Sequence, residues 1–252
     1  MKKKFDPFIY IFIFLLQLKV ISQTNYDIYS ELDSKEKTIT ISQTITFKNT
    51  SNNILDKIYL NDWANSYEGT ESQLVNHLAN QFNRSFYFSA KNKLGYTEIE
   101  RINGNQGSLI WSRLKDQLDI IEVILHEPLN PGETIIFSIN YKVKLPDDKF
   151  TGYGVNSNNK IFFRDFFISV SPLEKDTWIL QSNLGLRDNS NPPSSYLINW
   201  KYPNKYNLVS NLKNISKKDY DMDVTRYKGK PLITYDRFVK KYSTQHFPPN
   251  YY

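Results

Sequence analysis

Thr38 to Phe47 reads TITISQTITF, an alternation that places Ile39, Ile41, Ile45 and Phe47 on one face and Thr38, Thr40, Ser42, Thr44 and Thr46 on the other. Side chains alternate across a strand but return every 3.6 residues around a helix, so only a half-buried β-strand gathers this apolar set on one side. Asn49 to Asn53 (NTSNN) is a turn cluster, and Leu55 to Leu60 resumes the pattern, which predicts a hairpin. Asp119–Leu125 and Thr134–Val143 read as a second strand pair, reversed through Pro128, Pro131 and Gly132. Further strands are expected at 26–32, 98–102, 109–111, 161–163, 178–181, 196–200 and 206–209. The fold class is therefore all-β and mainly antiparallel, a β-sandwich or bent sheet. One insertion is helical in character: Leu74, Leu78 and Phe82 recur at i, i+4 and i+8 beside Val75 and Ala79.

The chain opens with Lys2 to Lys4 and then a twelve-residue apolar run from Pro7 to Leu18, shorter than the roughly 20 residues a bilayer span requires. Val20 and Ser22 fit a signal-peptidase site before Gln23. Residues 1–22 are thus expected to be a signal peptide and the protein to be exported, periplasmic or extracellular; the competing reading is a retained N-terminal anchor. Removing that segment takes the formal charge from +6 to +3. Lys213 to Lys241 holds nine Lys/Arg against four Asp, so the body itself is slightly acidic. That balance argues against nucleic-acid binding, which uses a basic face interleaved with stacking aromatics. Residues 23–213 read as one domain. Residues 214–252 read as a basic, aromatic, loosely ordered tail; in a stand-alone module, as opposed to a truncated chain, Val224, Leu232, Ile233, Phe238 and Val239 are expected to cover apolar surface that a following domain would otherwise bury.

Cysteine is absent, which excludes disulfides, thiolate metal sites and a cysteine nucleophile. The three histidines, His77, His126 and His246, lie far apart in sequence. His77 sits at the edge of the helical stripe, where a solvated or hydrogen-bonded ring is the plain reading. His126-Glu127 evokes a zinc helix, but Pro128 follows at once and Asn130 occupies the position of the second histidine. Gly152-Tyr153-Gly154 has the look of a turn, not a phosphate loop, and no GxSxG elbow occurs. Trp63, Trp111, Trp178 and Trp200 could stack on sugars or simply pack the sheets.

The order of segments carries more information than any one of them. Tyr26-Asp27-Ile28, the Thr38–Phe47 strand, Ile58-Tyr59-Leu60-Asn61, Leu129-Asn130-Pro131-Gly132-Glu133, Leu145-Pro146 and Thr151-Gly152-Tyr153-Gly154 follow one another, and Phe166-Phe167, Pro172 and Trp178 come after them. From Thr24 to Lys213 this succession resembles the N-terminal β domain of the M1 zinc aminopeptidases. The resemblance implies a saddle-like β domain that flanks a thermolysin-like zinc domain and helps close its substrate cleft. In active relatives a glutamine near the aromatic segment holds the substrate amine. Here that neighbourhood is Phe162-Phe163-Arg164-Asp165, and the HExxH and GxMEN motifs of the following domain are absent. The resemblance therefore implies a non-catalytic domain with no metal or cofactor of its own, zinc belonging to the catalytic domain. Its partners would be peptides or that partner domain, and its possible cleft or interaction residues are Phe163, Arg164, Asp165, Phe166 and Phe167. The alternative is a secreted β-sandwich adhesin or glycan-binding module.

Overall fold

The computed structural model describes residues 23–185, 192, 194–216, 224–230 and 235–240. The expected signal peptide and His246 lie outside them. In chain order the strands begin with β1 (Thr24–Asp33), β2 (Thr38–Lys48), β3 (Leu55–Asn61), β4 (Tyr96–Gly104), β5 (Gly107–Ser108) and β6 (Ile110–Leu114). They continue with β7 (Gln117–Leu129), β8 (Thr134–Lys144), β9 (Gly154–Val155), β10 (Ile161–Arg164), β11 (Ser169–Val170) and β12 (Leu173–Glu174). The last are β13 (Thr177–Trp178), β14 (Ser194–Lys201), β15 (Tyr206–Ser210), β16 (Lys213–Asn214), β17 (Val224–Gly229) and β18 (Tyr235–Lys240). The expected helix is α1 (Gln73–Asn80).

An eight-stranded sheet runs in the order β16-β17-β14-β1-β2-β8-β4-β5. Within it β1 and β14 pair in parallel and the remaining neighbours antiparallel. Two four-stranded sheets, β11-β3-β7-β6 and β15-β18-β10-β9, accompany it, together with a small β12-β13 ribbon. The large sheet buries alternate residues, Tyr26, Ile28 and Leu32 on β1 and Ile39, Ile41, Ile45 and Phe47 on β2. These side chains join those of the smaller sheets in one apolar core. Among the described residues, no helix is long and apolar enough to cross a membrane.

Both expected hairpins are corrected by the topology. β2 pairs with β1 and β8, while β3 pairs with β7 and β11, so each presumed hairpin partner lies in a different sheet. Asn49 is fully buried where the two connections meet. Its side-chain amide donates to the carbonyls of Asn53 at 2.8 Å and Leu129 at 3.0 Å, and its carbonyl oxygen accepts from Ser51. Its backbone N–H reaches the Glu133 carbonyl, and Gly132 N–H returns to the Asn49 carbonyl. The two crossings are tied into one corner, and both connections change sheet there together. Gly132 has φ of 81°, a left-handed turn for which glycine carries no Cβ penalty.

The segment expected to be a loose tail also behaves differently where it is described. β17 pairs with β14, and β18 pairs with both β10 and β15, so these strands complete sheets of the body. Phe238 on β18 is fully buried, its ring 5.1 Å from that of Trp200 and 5.7 Å from that of Phe163. A large aromatic anchored in the core outweighs the basic composition that pointed to a frayed end.

Helix α1 starts at Ser72, whose hydroxyl accepts the Val75 N–H at 3.2 Å, and it buries Leu74, Val75 and Leu78. It ends in a Schellman-type turn: Phe82 N–H donates to the Ala79 carbonyl and Asn83 N–H to the Leu78 carbonyl. Phe82 occupies the left-handed position, φ 63°, where glycine or asparagine is usual, and its ring is 91% exposed. A bulky residue there is strained by roughly 1–2 kcal/mol without recovering packing energy. Phe82→Gly is therefore expected to stabilise the protein by about 1 kcal/mol, measurable by urea unfolding.

Candidate functional site

The expected site residues lie where β10 leaves its sheet. Asp165 adopts φ of 42°, a conformation short polar side chains tolerate better than most, and so turns the chain inward. Phe166, Phe167 and Ile168 then run through the interior to β11, which pairs with β3. Buried irregular backbone must find hydrogen-bond partners, and here the large sheet supplies them. Ile168 N–H donates to the Tyr141 hydroxyl at 2.9 Å, and the Ile168 carbonyl accepts from the Gln43 amide at 2.7 Å. Tyr141 in turn donates to Gln43 Oε1 at 2.6 Å, and Val170 N–H donates to the Tyr26 hydroxyl at 2.9 Å. Gln43 sits at a buried position of the alternating β2, where sequence parity calls for an apolar residue. Tyr141→Phe leaves the Ile168 N–H and Gln43 Oε1 unpaired, and a loss of about 1–3 kcal/mol is expected in denaturant unfolding.

Around this crossing the aromatic residues are continuous. Phe163 and Trp200 stack at 5.5 Å, Phe166 lies 4.8 Å from Trp200, and Phe166 and Phe167 meet edge to face at 5.4 Å. Phe167 continues to Tyr26 and Tyr196, which stack on each other at 5.2 Å. Two carboxyl groups are enclosed with these rings. Asp236 stands opposite Phe163 on one side and Ser210 on the other, across β10, β18 and β15, and is 1% exposed. The Ser210 hydroxyl and the Trp200 indole N–H stand nearest as donors, yet neither carboxylate oxygen makes a hydrogen bond among the described residues. Burial first, and then the charge of the also buried Asp165, push the Asp236 carboxyl up to about 7. Burial likewise raises the Tyr26 and Tyr196 hydroxyls well beyond their ordinary range, so both stay protonated.

A second polar group closes the end of the β3–β7 pairing. Arg113 Nη2 lies 2.7 Å from Asp62 Oδ2, and the Thr97 hydroxyl donates to Asp62 Oδ1 at 2.8 Å. Asp119 accepts the Asn183 N–H at 2.7 Å, and Asn183 reaches the Trp63 carbonyl and the Ser66 hydroxyl. Burial raises the Asp62 and Asp119 carboxyls despite these donors. Residues 179–181, expected to prolong a Trp178 strand, instead form with 182–185 an irregular strip whose polar groups bond to this cluster. Arg164 Nη2 lies 3.4 Å from the Gly185 carbonyl and so ties β10 to the strip.

Of the five expected site residues, Phe163, Asp165, Phe166 and Phe167 are buried, and Arg164 is half-buried at the strip. They form the floor of the core instead of an open binding wall. Gln43, Tyr141, Asp62, Arg113 and Asp236 were not singled out from the sequence. The available signal was a polar residue at a strand position of buried parity, as Gln43 shows. His77 bonds Gln81 at 3.0 Å, and His126 faces the Ser108 carbonyl at 3.1 Å. Among the described residues, no three His, Asp or Glu side chains converge as a zinc ion requires. Trp63 and Trp200 are buried, and Trp111 and Trp178 are half-buried.

No protein-family model matches the sequence, and no curated protein matches it. Solved structures do match. An M1 zinc metallopeptidase from Deinococcus radiodurans aligns at 13% identity and a TM-score of 0.50, covering 86% of this chain and 41% of that one. A two-domain M1 zinc metallopeptidase variant bound to L-arginine aligns at 14% identity and 0.50, covering 86% and 42%. Native yeast LTA4 hydrolase aligns at 11% identity and 0.50, covering 88% and 29%. The chain thus spans about two fifths of the metallopeptidases and less than a third of the hydrolase. Over 86–88% of its length the chain therefore has an M1 N-terminal-domain-like β fold.

Proposed function

We propose that this protein is an exported, non-catalytic β domain of M1 type, which flanks a zinc metallopeptidase domain and contributes one wall of its peptide cleft. The observation that carries the reading is the fold likeness over 86% of this chain to metallopeptidases of which it spans only about two fifths. The segment order seen in the sequence points the same way. One of those structures holds L-arginine, and the ligand class proposed here is accordingly a peptide or its terminal residue. The part of the expected site best placed to meet a peptide is Arg164, because its neighbours are committed to the core. Export rests on the basic and apolar N-terminal run and is tested by sequencing the N-terminus of the protein recovered from the cell envelope, where Gln23 is expected first.

Calorimetric titration of the full chain with short peptides and with a glycan panel tests the ligand class. Peptide binding that weakens in Arg164→Gln is expected. Saccharide binding lost in Trp178→Ala would instead make the protein a glycan-binding module and overturn the proposal.

A further inference from the structure

We propose that the loop after α1 is a membrane-surface anchor that seats the protein on anionic lipid headgroups. From Ala79 to Gly95 the sequence carries Arg84, Lys91 and Lys93 and not one Asp or Glu. Phe86 fixes the base of the loop, buried against Phe150 at 4.0 Å and Tyr67 at 6.1 Å between ring centres. With that residue turned inward, its neighbours project outward: Phe82 is 91% exposed, Phe88 84% and Tyr87 50%. Phe82 is the sharpest departure from local rules, a strained aromatic at a left-handed position with no packing in return. Rules broken without local compensation mark places where something other than folding sets the residue.

The chemistry of the patch selects the occupant. Beside the protruding rings is a recess of about 500 Å³ lined by Ala79, Asn80, Arg84, Tyr87 and Phe88, in which a cation meets aromatic walls. Of the acidic residues bordering the loop, Asp147 is paired with Lys93 at 3.3 Å, which neutralises that lysine, so Arg84 and Lys91 are the loop's cations left to face lipid. Aromatic rings that enter the headgroup layer, ringed by Lys and Arg that face anionic lipid, are the pattern of interfacial attachment. A peripheral mode also agrees with the lack, among the described residues, of any helix able to span a bilayer.

The chain has no cysteine, so Gln81→Cys in the full chain takes a single environment-sensitive dye beside the loop, and Asn105→Cys takes one at a remote turn. Vesicles of phosphatidylcholine with phosphatidylglycerol should shift the Gln81 dye to the blue, while pure phosphatidylcholine and the Asn105 dye should show little change. Arg84→Gln should weaken partitioning about fivefold, and added salt should weaken it further. Combining Phe82→Gly with Phe88→Ser should abolish the shift, with the thermal midpoint unchanged or raised because Phe82→Gly relieves strain. The proposal is overturned by no shift at Gln81, by an equal shift at Asn105, or by a shift indifferent to the double substitution. It is also overturned by a shift that grows with protein concentration without lipid, which would mean a second copy. A shift caused by soluble envelope protein but not by vesicles would overturn it too.

Discussion

Asp236→Asn raises the thermal midpoint at about pH 8 and leaves it nearly unchanged at about pH 4, where the native carboxyl is protonated anyway. The folded group titrates at about 7 against 3.8 for the free side chain. Below about pH 4 the acid is neutral in both states and costs nothing extra. Between about 4 and 7 the unfolded chain gives up its proton while the folded chain retains it, so stability falls steadily as pH rises. Above about 7 the buried carboxylate carries its full cost, about 4 kcal/mol at 1.36 kcal/mol per unit. The asparagine amide is still short of partners between Trp200 and Ser210, so recovery of about half, roughly 2 kcal/mol, is expected. For a chain of this size that is about 4–8 °C in the midpoint, read by calorimetry across pH. A wild-type midpoint that does not fall from about pH 4 to 8 would show that the carboxyl finds a partner after all.

Arg113→Met destabilises the protein by about 3–5 kcal/mol, since it strands the Asp62 carboxylate in the interior. The Arg113 side chain is 19% exposed and that of Asp62 2%, so solvent cannot take over the lost contact. Thr97 is left as the main side-chain donor, and burial already raises the Asp62 carboxyl with the guanidinium in place. Adding Asp62→Asn to Arg113→Met should return about 2 kcal/mol, because replacing both partners removes the unpaired charge. Urea unfolding of both singles and the double gives the coupling directly. A double variant as unstable as the sum of the singles would mean that the pair does not interact across the β3–β7 end.

Most strands were legible because alternation survives wherever one face is buried. β2 extends one residue beyond the expected run, and the 71–82 stripe became α1 at Gln73–Asn80. Partner choice was not legible. A six-residue connection after β2 can close a hairpin or cross to another sheet, and the crossing is held by contacts such as those of Asn49, whose partners at Leu129 and Glu133 are some 80 positions away in sequence. The candidate site suffered the same blindness. The run from Phe163 to Phe167 was identifiable as a special segment, but its burial depends on Gln43 and Tyr141 waiting on the opposite sheet. The basic composition of the last forty residues pointed to a loose tail, although Phe238, among the residues there that could cover apolar surface, is one the core buries.

The reading of this chain as a flanking wall for another domain's chemistry is tested most directly by an aminopeptidase assay. The purified full chain, supplied with zinc, is mixed with aminoacyl-aminocoumarin substrates with and without chelator. Fluorophore release at the protein-free background, indifferent to chelator, is expected. Release that scales with protein and disappears with chelator would contradict the account, because the chain would then possess hydrolytic machinery of its own.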